Sequence, residues 1–294
     1  MSAIEKVLVA TDLSTRAGLA LRRGATLARQ HGAELHLMHA MPQFSLKGMS
    51  ESYRPYRIRV EDVPRWVDAA RAQLHAQAQS ASAEFGIEIQ EHAVTGNAIA
   101  EIELLERSLP ADILLIGAQG EGFLRHLLLG STAAALVQHA IRPLLVAKAE
   151  EPKPYSNALV GITFSMACRN ALEAVARLAP KANVTALHAV RIPYEGIITL
   201  VSVDDRAPEV WRLQTLEAAR REVDDFINGP GSKRQGEIVA EFGHAAHLLV
   251  DRAKTMHADL IAVGKRSSGT VDALFGTVAR RVIERADCDV LVVP

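Results

Sequence analysis

Short, nearly unbroken apolar runs alternate along this chain with longer stretches in which apolar residues recur every three or four positions. In the first half the runs at 7–10 (VLVA), 113–116 (ILLI) and 144–147 (LLVA) have strand length and no polar interruption. Runs of that kind suit strands covered on both faces, hence a mostly parallel sheet. The pattern predicts strands near 4–10, 33–40, 87–94, 112–117 and 143–147, and helices near 15–31, 62–85, 97–109 and 131–140. Right-handed crossovers of this length give an α/β domain, doubly wound around a five-stranded sheet. Ligands of such domains bind beyond the carboxyl ends of the strands, where the strand order reverses.

The pattern is written twice. Residues 6–14 (KVLVATDLS) reappear as 157–165 (NALVGITFS), the second strand with His39 has its counterpart around His188, and Pro64-Arg65-Trp66 corresponds to the segment from Pro208 to Trp211. Val94-Thr95-Gly96-Asn97 matches Glu241-Phe242-Gly243-His244, 111–117 (ADILLIG) matches 258–264 (ADLIAVG), and the last strands match at 143–147 and 289–293. The charged, proline-containing stretch 149–156 reads as a linker. Two tandem domains are expected, 1–150 and 155–294.

Candidate chemistry concentrates in residues 111–148 of the first copy. A buried strand ends on Gly117; Gly120 follows, and after nine further residues Gly130, Ser131 and Thr132 open a helix. Glycine lets the backbone approach a ligand closely. Hydroxyl groups and the amides of a helix N-terminus suit a phosphate. Asp12 closes the first strand, so if the first and fourth strands are neighbours it faces the same crevice. Taken alone, glycines after a strand are equally the punctuation of any parallel sheet.

Together, this spacing, Asp12 and the duplication resemble the universal stress protein family, specifically its tandem-domain members, over essentially the whole chain. The spacing is similar to that of the ATP-binding branch. The resemblance implies two Rossmann-like domains of strand order 3-2-1-4-5, and ATP with magnesium in the first. It places Thr11 and Asp12 on the adenine and ribose side, and Ala40 as a backbone contact to the base. Ile116, Gly117, Ala118, Gln119 and Gly120 would wrap the ribose and phosphates, with Gly130, Ser131 and Thr132 holding phosphates. Relatives often carry a basic or histidine side chain where this chain has Gln119, which removes one phosphate partner. Single-domain relatives dimerise through their last strand, so the two halves are expected to pair within the chain, leaving homodimerisation of the whole open.

The second copy departs from the motif. Gly264 is followed by Lys265, Arg266 and a displaced Gly269; the distance from Gly264 to Gly276-Thr277 is one residue short, and Thr163 stands where Asp12 does. A non-glycine residue forced to positive φ costs about 1 kcal/mol or more. Weak or absent nucleotide binding is expected there, with Lys265 and Arg266 as partial compensation.

The remaining features narrow the function classes. Across 294 residues, 33 Lys and Arg balance 34 Asp and Glu, so no basic field exists to hold a nucleic acid. The aromatic and basic residues 53–59 could stack on single strands, but read more simply as a loop over the crevice or beside Glu61 and Asp62. No apolar run could span a bilayer and no signal-like start is present, which points to the cytoplasm. Cys168 and Cys288 form no metal or redox pair. His244 and His247 are one helical turn apart without a third ligand, and read as solvated histidines at a helix start rather than a metal site. His39 and His188 read as a shared packing or hydrogen-bonding role. Ser14 and Ser165 read as helix N-caps. No nucleophile–base pair is legible, and the resemblance implies nucleotide-dependent regulation in the stress response. The alternatives are a slow ATPase or nucleotidyl-transfer enzyme, and an interaction scaffold holding a different small molecule.

Overall fold

The computed structural model describes residues 3–41, 63–118, 130–191, 207–228, 236–265 and 277–294. In the first copy the elements are β1 (Lys6–Ala10), α1 (Ala17–His31), β2 (Glu34–Met41), α2 (Val63–Phe85), β3 (Ile89–Thr95), α3 (Ala98–Ser108), β4 (Ile113–Gly117), α4 (Ser131–His139) and β5 (Leu144–Ala147). In the second they are β6 (Asn157–Ile162), α5 (Met166–Leu178), β7 (Asn183–Val190), α6 (Ala207–Asn228), β8 (Glu237–Phe242), α7 (Ala245–Thr255), β9 (Leu260–Gly264), α8 (Thr277–Arg285) and β10 (Asp289–Val293). The chain separates into two compact units, residues up to 139 with 146–154, and 140–145 with 155–294. Among the described residues no helix is long and apolar enough to cross a membrane.

Strand order in the first copy is β3-β2-β1-β4-β5, and in the second β8-β7-β6-β9-β10. β1 pairs in parallel with β2 and with β4, setting Ala10 beside Met38 on one side and Ile116 on the other. The apolar runs are strands because both faces are covered: Leu8, Leu115, Leu144 and Leu145 are fully buried, each contributing about 1.5–3 kcal/mol of hydrophobic stabilisation.

Helix α1 begins two residues later than the sequence pattern suggests. Leu13 takes a left-handed conformation (φ 66°), and Phe164 does the same at the equivalent place in the second copy (φ 55°). Ser14 accepts the Ala17 amide from outside α1, and Arg16 occupies the cap position. Ser165 is a true N-cap, accepting the Cys168 amide.

A chain of charge and imidazole crosses the first sheet. Lys6 pairs with Glu34 at 3.5 Å, Glu34 lies 3.4 Å from His36 Nε2, and His36 Nδ1 lies 3.0 Å from His92 Nε2. A carboxylate only accepts, so His36 Nε2–H donates to Glu34. Burial, then the neighbouring His36, hold the His92 pKa below its usual 6.5. Because the unfolded chain takes up a proton that folded His92 resists, this contribution is present above pH ~6.5 and is lost as pH falls below it. The urea midpoint is expected to drop on acidification through this range, and His92→Gln to flatten that slope.

Candidate functional site

The turn after β1 is built by its own side chains. Thr11 is buried; its amide donates to the Met38 carbonyl (2.9 Å), and its carbonyl accepts from His39 Nδ1 (2.9 Å). Its hydroxyl oxygen accepts the Leu13 amide (3.0 Å), which leaves the hydroxyl proton to donate. Asp12 is exposed, and one carboxylate oxygen accepts the Ser14 amide at 3.0 Å. Across the switch in strand order, β4 delivers Ile116 and Gly117 beside Ala10.

The helix α4 supplies the opposite wall. The Gly130 carbonyl accepts the Ala134 amide (2.8 Å), which begins the helix, and the Gly130 amide donates to the Ala118 carbonyl (3.3 Å). The amides of Ser131, Thr132 and Ala133 precede the first intrahelical donor, so they and the helix dipole favour an anion. From below comes α3, capped by Asn97, whose side chain accepts the Ile99 and Ala100 amides.

These elements enclose a cavity of about 480 Å³, within the range of small-molecule sites. Of the sequence-predicted residues, Thr11, Asp12, Ala40, Ile116, Gly117, Gly130, Ser131 and Thr132 all line it. Ala118 adjoins it through the Gly130 bond. Gln119 and Gly120 lie outside the described residues, as do 53–59 and Arg266. Met38, Ala98, Ile102 and Leu136 also line the cavity without any signal in the sequence pattern that marks them as site residues, and so does His39, which the sequence marks only for packing or hydrogen bonding. The i, i+4 pair Ala98 and Ile102 following the Asn97 cap was the available signal for α3. Among the described lining residues there is no lysine or arginine, so the groups offered to an anion are amides and hydroxyls.

The second copy repeats the frame with different chemistry. His188 Nδ1 donates to the Ile162 carbonyl at 2.9 Å, as His39 does to Thr11, so the paired histidines share one hydrogen-bonding role. Thr163 hydrogen-bonds Ser165 through their hydroxyls (3.2 Å), and Phe164 packs on His188 (ring centroids 4.7 Å apart) and edge-on against Phe226 (5.6 Å). Lys265 is committed within its own unit: Nζ donates to the Ala140 carbonyl at 3.0 Å, and burial lowers its pKa. A β-carbon on Gly264 would lie 2.8 Å from the backbone of Ala167 and Cys168, so helix–strand packing alone demands this glycine. His247 accepts from Arg285 at 2.7 Å, and no group of three His, Cys, Asp or Glu able to hold a metal occurs among the described residues.

The sequence profile of the universal stress protein family matches residues 3–148 and again 154–294. This chain belongs to the universal stress protein family. A universal stress protein of Mycolicibacterium smegmatis is 26% identical over 98% of this chain and 96% of its own length. Universal stress protein G of Salmonella typhimurium is 30% identical over 44% of this chain and 87% of its own. Among solved structures, a universal stress protein from Archaeoglobus fulgidus superimposes with a TM-score of 0.69 at 18% identity, covering 98% of this chain and 97% of that one. A putative universal stress protein from Pseudomonas aeruginosa gives 0.63 at 20% identity, covering 99% and 93%. The structural likenesses speak to the fold alone, two α/β domains in tandem.

Proposed function

We propose that the N-terminal domain binds an adenine nucleotide, ATP with magnesium, and that occupancy regulates the protein in a cytoplasmic stress response. The observation that supports this reading is the meeting of Asp12 and the α4 N-terminus in one cavity across the switch between β1 and β4. The apolar walls of Met38, Ala98, Ile102 and Ile116 suit a base, Asp12 a ribose hydroxyl, and the Ser131 and Thr132 amides and hydroxyls a phosphate. Magnesium characteristically binds through few protein oxygens plus substrate phosphates, and the Ser131 and Thr132 hydroxyls would provide oxygens of that kind. The chemistry supplied by the metal would be neutralisation of phosphate charge.

Under this reading the C-terminal domain is a degenerate copy that supports the first. Thr163 provides no carboxylate and Lys265 is already engaged with Ala140. Calorimetric titration of the full chain with ATP and magnesium is expected to give one site. Two sites of similar affinity would refute the asymmetry, and no heat with a nucleotide-free preparation would refute the nucleotide reading. A true ATPase would release phosphate over many turnovers; the expected result is at most slow hydrolysis.

A further inference from the structure

We infer that Gln73 and Gln77, two side chains of α2 that do not line the cavity, are positioning residues for Asp12. The inference rests on the nucleotide reading above and concerns how that site is held in shape. The two glutamines lie one helical turn apart, so their amides project from the same face of α2. Both donate to one acceptor, the Leu13 carbonyl, at 3.1 Å and 3.0 Å. That carbonyl and the Ser14 amide are the two ends of a single planar peptide group. The Ser14 amide in turn donates to Asp12 Oδ1 at 3.0 Å. Side-chain amides on one end of the peptide therefore fix the plane, and the plane aims the other end at the carboxylate.

Four features make this more than ordinary loop packing. The peptide follows Leu13, whose left-handed conformation (φ 66°) is unfavourable for a branched side chain and needs external support. A second carbonyl ligand adds to its own bond by polarising the peptide, which strengthens the Ser14 donor toward Asp12. Gln77 Oε1 is buried with no hydrogen-bond partner among the described residues, so its amide is held in place at the expense of an unsatisfied acceptor. In the second copy, where Thr163 replaces the aspartate, the left-handed Phe164 is packed through its ring on His188 and Phe226. The glutamine clamp accompanies the carboxylate.

The test uses the full chain and the isosteric double variant Gln73→Met with Gln77→Met, which keeps helix propensity and removes both donors. Two readouts are needed: hydrogen exchange at the Ser14 amide in nucleotide-free protein, and calorimetric affinity for ATP with magnesium. The expected result is Ser14 exchange faster by about tenfold and ATP affinity weaker by about fivefold. The melting temperature should fall only modestly, because the Leu13 carbonyl loses both donors while deletion of the unpaired Gln77 acceptor offsets part of that cost. Either single variant keeps one donor and should recover most of the affinity. Unchanged Ser14 exchange in the double variant overturns the proposal, and so does faster exchange with unchanged affinity. If the parent chain binds no nucleotide, the nucleotide reading falls, and Ser14 exchange alone then decides whether the glutamines position Asp12.

Discussion

A Gly130→Val variant is expected to lose nucleotide binding by a hundredfold or more while the fold persists. Gly130 lines the cavity, and its carbonyl makes the first backbone bond of α4, so it stands at the helix cap. A β-branched side chain is poorly suited to a cap and has no oxygen to offer the following amides. On the proposed reading, its bulk would crowd the helix start whose Ser131 and Thr132 amides are offered to a phosphate. Overpacking of this kind costs about 1–3 kcal/mol, and losing the charge-assisted amide contacts adds a comparable amount. The sum corresponds to a hundredfold or more in Kd. Because Gly130 is partly exposed and α4 is short, far-UV circular dichroism and the urea midpoint should change little. ATP affinity equal to that of the parent chain would refute the assignment of the site.

The opposite result is expected for a glycine of the second copy. Gly264→Ala should lower stability by about 2 kcal/mol and leave nucleotide affinity nearly unchanged. The added methyl group would stand 2.8 Å from the Ala167 carbonyl carbon and the Cys168 nitrogen. Both are backbone atoms in the first turn of α5, so neither can rotate away as a side-chain tip could. Relief requires α5 to move off β9, which loosens the buried contacts of Cys168, Ala171 and Val175. A urea midpoint indistinguishable from the parent would show that the helix shifts at no cost. The two variants together separate a glycine demanded by a ligand site from one demanded by packing.

That separation bears on how much of the site was legible beforehand. The glycine–hydroxyl spacing from Gly117 to Thr132 and the duplicated pattern were visible because both are local. Gly264 shows that a glycine at the end of the fourth strand can be required by a neighbouring helix with no ligand involved, so Gly117 alone was never decisive. Small apolar wall residues such as Met38, Ala98 and Leu136 look like any core residues in a sequence. The left-handed Leu13 has no glycine to announce it, and α1 starts at Ala17 where the pattern predicts a start near 15. His36 and His92 are 56 positions apart and meet only because β2 and β3 pair in register.

By itself the sequence determined that there are two copies, where strands and helices alternate, and which copy keeps the aspartate and the full glycine spacing. Those properties follow from periodicity and short-range spacing, which the chain carries whatever its tertiary arrangement. Only the tertiary structure decided that Asp12 and the start of α4 share one cavity, that Gln73 and Gln77 reach the peptide beside Asp12, and that Lys265 is already bonded to Ala140. Each depends on pairing between strands or helices distant in the chain, β1 with β4 above all. Such long-range pairing is set by burial of both sheet faces at once, which no local window of residues contains.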